Sequence, residues 1–220
     1  MKILNLYAGI GGNRKLWGDS HEVTAVENNQ EIAKTYKSFF PNDYIIIGNA
    51  HEYLLKNFKH YDFIWASPPC QSHSVCNNFL KGQNIYRYPD MQLYQEIIFL
   101  KHFFKGRWVV ENVKSYYDPL IAPQSMGRHY FWANFKIPFI KVDYQIGTMN
   151  RKASKKARRN ATIRQAQIPE LTDLHGLKDF KISNKRQVLR NCVLPEIGKA
   201  ILDSALNIYK EKETEQTKLF

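Results

Sequence analysis

Short apolar runs recur along this chain, each ending in small or polar residues, and stretches with apolar positions three and four apart lie between them. Residues 3–7, 22–26, 44–47, 63–66 and 108–110 read as strands on this pattern. Residues 31–39 and 91–104 read as helices, the first stopped by Pro41 and the second carrying Leu93, Ile97, Leu100 and Phe104 at helical spacing. A final helix is expected over residues 195–209, with Ile197, Ala200, Ile201, Ala205 and Ile208 on its apolar face. It should return to the sheet beside a helix that opens at Arg14, Lys15, Leu16 and Trp17, just after the first strand. The run Tyr44, Ile45, Ile46, Ile47 is wholly apolar, as in a central parallel strand. Strands alternating with helices predict an α/β fold, a doubly wound, mostly parallel sheet with helices on both faces.

Ligands of such sheets sit at the carboxyl ends of the strands, so the residues found there matter most. After the first strand comes Ala8-Gly9-Ile10-Gly11-Gly12-Asn13. Its glycines suit either a plain tight turn or backbone brought close to a ligand, and the spacing is neither the dinucleotide fingerprint nor a P-loop. Glu27, about twenty positions on, stands where a carboxylate would accept from ribose hydroxyls. Asn49 ends the third strand. The fourth runs into Ser67-Pro68-Pro69-Cys70-Gln71-Ser72-His73-Ser74, where the two prolines stop the ladder and present Cys70 at the edge. Cys70 is there either a nucleophile or a small buried hydrophobe. Residues 75–89 are polar and are expected to form a mobile loop over the site. Glu111 ends the fifth strand, which pairs a carboxyl group with the thiol.

Composition narrows the partners. The net charge is +12 and the isoelectric point near 9.5, which favours an anionic partner, most often nucleic acid. The chain of 220 residues suits one substantial domain with a small appendage. Three cysteines without metal-like spacing argue for a reducing compartment and against a disulfide framework or zinc. The amino terminus enters a strand directly, leaving no room for a signal peptide, and no apolar stretch reaches membrane-spanning length. A cytoplasmic, nucleoid-associated protein is expected, without metal or membrane partner.

The order Tyr-Ala-Gly-Ile-Gly-Gly, Glu27, Pro-Pro-Cys-Gln and Glu-Asn-Val resembles the cytosine carbon-5 DNA methyltransferases. Leu171-Thr172-Asp173-Leu174-His175-Gly176-Leu177 and the segment from Arg186 to Pro195 resemble that family's last two motifs. The resemblance implies a class I methyltransferase fold, S-adenosylmethionine as cofactor and a flipped cytosine of double-stranded DNA as substrate. By the same resemblance Cys70 attacks carbon 6 and Glu111 binds ring nitrogen 3. Tyr7, Gly9, Ile10, Gly11, Gly12, Glu27, Asn28, Asn49, Ala50, Pro69, Leu93, Asn191 and Val193 would surround the cofactor, and Gln71 and Ser74 would contact DNA. Asn5 and Asn49 stand where many members have Asp. The family's Gln-x-Arg-x-Arg motif survives only as Gln124 to Phe131, with Arg128 favoured over His129 for the substrate-contacting role.

The basic run Arg151, Lys152, Lys155, Lys156, Arg158, Arg159 and Arg164 falls where the family keeps its target-recognition region. It would hold phosphates, or form a solvated face. The resemblance thus divides the chain into a discontinuous catalytic domain, residues 1–135 and 183–220, around a small recognition region, residues 136–182. A monomer is expected, and the tail from residue 210 should be frayed. Two other readings stay open: a methyltransferase acting on structured RNA, and a non-catalytic DNA-binding homologue.

Overall fold

The computed structural model describes residues 1–140 and 168–209. The basic run from Arg151 to Arg164, with Arg151, Lys152, Lys155, Lys156, Arg158 and Arg159, lies outside the described residues, as does the tail from residue 210.

Seven strands form one sheet: β1 (Lys2–Leu6), β2 (Glu22–Glu27), β3 (Tyr44–Ile47), β4 (Phe63–Ala66), β5 (Arg107–Val113), β6 (Gln124–Met126) and β7 (His129–Ala133), in the order β3-β2-β1-β4-β5-β7-β6. β3, β2, β1, β4 and β5 are parallel, and β7 runs antiparallel to both β5 and β6. Helices α1 (Gln30–Phe39), α2 (Ala50–Asn57) and α4 (Gln92–Phe103) connect the parallel strands. A short helix α3 (Asn77–Lys81) follows Cys70, and α5 (Ile168–Leu174), α6 (Lys185–Asn191) and α7 (Pro195–Ala205) come from the carboxyl-terminal part. The expected doubly wound, mostly parallel sheet is the one found.

Side chains alternate along each strand, and this period divides the interior into two cores. Leu4, Leu6, Val26, Ile64, Ala66 and Val110 face one side, where they meet Leu54 of α2 and Leu93, Ile97 and Leu100 of α4. Ile3, Val23, Phe63, Trp65 and Val109 face the other, against Ile197, Ile201 and Leu202 of α7. Strands buried on both faces need continuous apolar sequence, which is why these runs are legible without alternation.

Four expectations are corrected. No helix opens at residues 14–17. Those residues form successive tight turns, because Arg14 is drawn inward to Asp43 by two 2.9 Å hydrogen bonds and the Trp17 indole donates to the carbonyl of Gly198. The final helix therefore does not lie beside a helix of the first strand but takes its place, and it ends at Ala205, leaving Ile208 60% exposed. β3 is an edge strand and not a central one: it pairs only with β2, and Tyr44 and Ile47 are 64% and 53% exposed. A wholly apolar run does not say how many neighbours a strand has. Glu111 lies within β5 and not at its end, since β7 pairs with β5 through Val113. The hairpin of β6 and β7, turned at Gly127 with φ +57, had no periodicity long enough to be read as strands.

Residues 168–182, grouped with the recognition region on sequence, pack on the sheet domain. Leu171, Leu177 and Ile182 share a cluster with Ile10, Leu189 and Cys192, flanked by Phe39 and Phe180. His175 is fully buried there, and neither ring nitrogen has a hydrogen-bond partner among the described residues. Burial lowers its pKa to about 4, so it is neutral at physiological pH.

Two measurements test this packing. A Cβ at Gly198 would lie 2.2 Å from the carbonyl oxygen of Asn13, so Gly198→Ala is expected to destabilise the protein by about 1–3 kcal/mol in urea denaturation. The unfolded chain binds a proton at His175 more tightly than the folded one, so stability should fall as pH drops from about 6.5 to about 4. This group's share is about 3 kcal/mol, and the slope should flatten in His175→Leu.

Candidate active site

The carboxyl ends of β1, β2 and β4, closed by α6 and the segment after it, surround a pocket of about 360 Å³. That size is within the usual range for small-molecule sites, roughly 300–1,000 Å³. Tyr7, Gly9, Gly12, Glu27, Asn28, Pro69, Gln71, Asn191 and Val193 line it, together with Asn5, Asn13 and Gln187. Of the other positions singled out in the sequence, Ile10 is buried behind the loop, and Gly11 is pressed on Tyr36 and Phe40. Ala50 and Leu93 belong to the apolar core under the sheet. Asn49 caps α2, its side-chain oxygen accepting from the backbone N–H groups of His51 and Glu52 at 2.9 and 3.2 Å.

The loop after β1 owes its shape to residues beyond it. Gly9 and Gly11 take φ of +55° and +76°, which glycine adopts without strain. Gly9 donates its backbone N–H to Glu27 at 3.0 Å, and the other Glu27 oxygen accepts from Asn29 at 2.9 Å. Each oxygen thus has one protein donor and further lone-pair capacity at the pocket wall, an acceptor pair suited to the hydroxyls of a ribose. A Cβ at Gly12 would come within 2.7 Å of the Val193 carbonyl oxygen, so the carboxyl-terminal segment closes tightly on this loop. Asn5 accepts from the Asn13 amide at 2.9 Å and is fully buried.

Cys70 follows the prolines after β4, half-buried, with its Sγ 3.7 Å from the Asn191 side-chain oxygen. Asn112, next to Glu111, donates from its amide to the Pro68 carbonyl at 3.0 Å and so ties the ends of β4 and β5 together. Burial first, and the charge of Glu111 second, push the Cys70 thiol up to about 11, against the opposing pull of Arg128. At neutral pH the group is a thiol and not a thiolate.

Glu111 is 5% exposed and hydrogen-bonded to His129 Nδ1 at 2.5 Å, and His129 Nε2 accepts from Arg128 Nε at 3.1 Å. Arg128 in turn donates to the Arg190 carbonyl at 2.7 Å. Because Nε2 is the acceptor, the Nδ1 nitrogen of the neutral ring carries the proton and donates to Glu111. His129, weighed below Arg128 on sequence, is thus the residue that touches the carboxylate, with Arg128 holding it from behind. The antiparallel pairing of β7 with β5, invisible in the sequence pattern, is what brings His129 there.

The chain beyond Cys70 forms tight turns, His73 and Ser74 donating back to the Cys70 carbonyl, and then enters α3. Ser74 is bridged to Ser115 and its hydroxyl accepts from the Cys76 backbone. Among the described residues no helix is long and apolar enough to cross a membrane, and no group of three or more His, Cys, Asp or Glu could hold a metal ion.

Alkylation of Cys70 by iodoacetamide, followed on its peptide by mass spectrometry, should be slow at pH 8 and rise about tenfold per pH unit toward pH 11. Glu111→Gln removes the neighbouring negative charge and should move that rise to lower pH. A wild-type plateau below pH 9 would contradict the assignment.

The profile of the C-5 cytosine-specific DNA methylase family matches residues 1–146. An alanine mutant of Spodoptera frugiperda DNMT2 is similar at 24% identity and TM-score 0.45, over 65% of this chain and 53% of that one. A protein described as a DNA modification methyltransferase encoded within an E. coli prophage is similar at 17% identity and TM-score 0.40, over 60% of this chain and 46% of that one. The Entamoeba histolytica methyltransferase EhMeth is similar at 16% identity and TM-score 0.34, over 51% and 38%. The chain spans about half the length, or less, of these structures. No curated protein matches it. The match to the family profile covers well over half of the sequence, and the chain belongs to the C-5 cytosine-specific DNA methylase family.

Proposed function

We propose that this protein methylates carbon 5 of cytosine in double-stranded DNA, using S-adenosylmethionine and a transient covalent bond from Cys70. The observation that carries the reading is the bond from Asn112 to the Pro68 carbonyl, which ties the chain leading to Cys70, just past the end of β4, to the adjacent parallel strand β5 bearing Glu111, beside the Glu27 pocket. The residues present fit the cofactor: Glu27 suits the ribose hydroxyls, Gly9 and Gly12 bring backbone to the pocket, and Asn191 and Val193 close it. When bound, S-adenosylmethionine supplies a methyl group made electrophilic by its sulfonium.

The chain's own task is to make carbon 5 nucleophilic. Cys70 loses its proton to solvent and adds its sulfur to carbon 6, and the ring's electron density moves to carbon 5. Glu111 accepts from the exocyclic amine and shares a proton with ring nitrogen 3, whose protonation favours the enamine, while His129 holds the carboxyl in place. After methylation, loss of the carbon-5 proton and departure of Cys70 restore the aromatic ring and the thiol. A cytosine stacked in a duplex cannot reach these groups, so the base is flipped out at a cost of a few kcal/mol. Gln71, Ser74 and the basic run from Arg151 contact the nucleic acid, the recognition region being the part of residues 136–182 that precedes the segment packed on the sheet domain from residue 168. The +12 charge supports a polyanionic substrate.

Bisulfite sequencing of DNA from cells expressing the wild type should show cytosine methylation in one fixed short context, absent with Cys70→Ser. Duplex DNA containing 5-fluorocytosine should trap a denaturation-resistant adduct at Cys70. Methyl transfer to transfer RNA and none to duplex DNA would replace DNA by RNA as the substrate, and no transfer to either would leave a binding protein.

A further inference from the structure

Helix α4 presents Leu93, Ile97 and Leu100 to the core, and on that same apolar stripe it carries Glu96, which is fully buried. One of its oxygens accepts two hydrogen bonds, from the Tyr7 hydroxyl at 2.5 Å and from His51 Nδ1 at 2.9 Å. The other has no partner among the described residues. Burial raises the pKa of the carboxyl, and the Tyr7 and His51 bonds pull it back. A carboxyl group in that place is costly for the fold, and an apolar residue of the same size would pack with its neighbours.

What the group holds explains its presence. Tyr7 is the last residue before the glycine loop, it lines the pocket, and it takes a φ of +55°, a conformation that non-glycine residues keep only when their surroundings enforce it. His51 lies in the first turn of α2, whose cap Asn49 follows β3 by two residues. A single carboxylate oxygen therefore joins the chain after β1 to the chain after β3 and anchors both on α4. We infer that Glu96 is a positioning residue for cofactor binding, which fixes the Tyr7 ring at the pocket wall through its bond to the Tyr7 hydroxyl. The inference rests on the proposed use of S-adenosylmethionine.

The test is calorimetric binding of S-adenosylhomocysteine, with the thermal midpoint of the ligand-free protein measured alongside. Tyr7→Phe keeps the ring but loses the bond, and is expected to weaken binding about tenfold. Glu96→Leu should weaken binding at least as much while leaving the ligand-free midpoint unchanged or higher, a divergence that a merely structural role would not produce. Glu96→Gln, which keeps an acceptor oxygen, should bind within about threefold of wild type. In Tyr7→Phe/Glu96→Leu the two losses should not add. Tyr7→Phe binding as tightly as wild type would overturn the inference whatever the folding of the Glu96 variants, and so would a Glu96→Leu protein that is less stable yet binds normally. A wild type that binds no S-adenosylhomocysteine would instead overturn the cofactor reading.

Discussion

The buried hydrogen bond from the Asn112 amide to the Pro68 carbonyl is the constraint on which the site depends. Two successive prolines end β4 by removing two donors, and the carbonyls they leave must find partners elsewhere. Asn112 supplies one, while its own side-chain oxygen accepts from the Val113 backbone. Parallel pairing of Ala66 with Val110 sets the relative height of the two strands. The bond then fixes the chain leading to Cys70 against the strand bearing Glu111. Neither Cys70 nor Glu111 is held by its own contacts alone.

The walls around this pair come from distant parts of the chain. α7 stands where a helix after β1 would otherwise lie, with Gly198 pressed on Asn13 and the Trp17 indole bonded to the Gly198 carbonyl. The segment just before it brings Asn191 to Cys70 and Val193 to Gly12. The return of the carboxyl-terminal part therefore completes both the second core and the pocket. α7 meets the chain just after the glycine loop through backbone, at Gly198 and Asn13.

Several buried polar groups around the site are joined to the backbone or to a second side chain near a strand end. Arg14 is matched by Asp43, Glu27 by two backbone N–H groups, and Glu111 by His129. Cys70 is the contrast, a half-buried thiol facing a carboxylate, and its proton affinity is raised accordingly. Stability alone does not call for a thiol beside a buried carboxylate, which is the physical reason to associate the pair with chemistry.

Much of this was legible in the residues themselves. Apolar runs such as Phe63 to Ala66 mark buried parallel strands, and the two prolines mark where Cys70 is presented, because each signal acts within a few residues of chain. The places of Cys70 and Glu111 in the fold were legible because one follows a strand and the other lies near the end of its neighbour. What no local pattern carries is the partner across space. That β3 is an edge, that Arg14 turns inward to Asp43 in place of opening a helix, that α7 fills the gap so left, and that β7 lays His129 on Glu111 are all decided by long-range pairing. Such contacts depend on which segments meet once the sheet has formed, and a hydrophobic period records only that a face is buried, never against what.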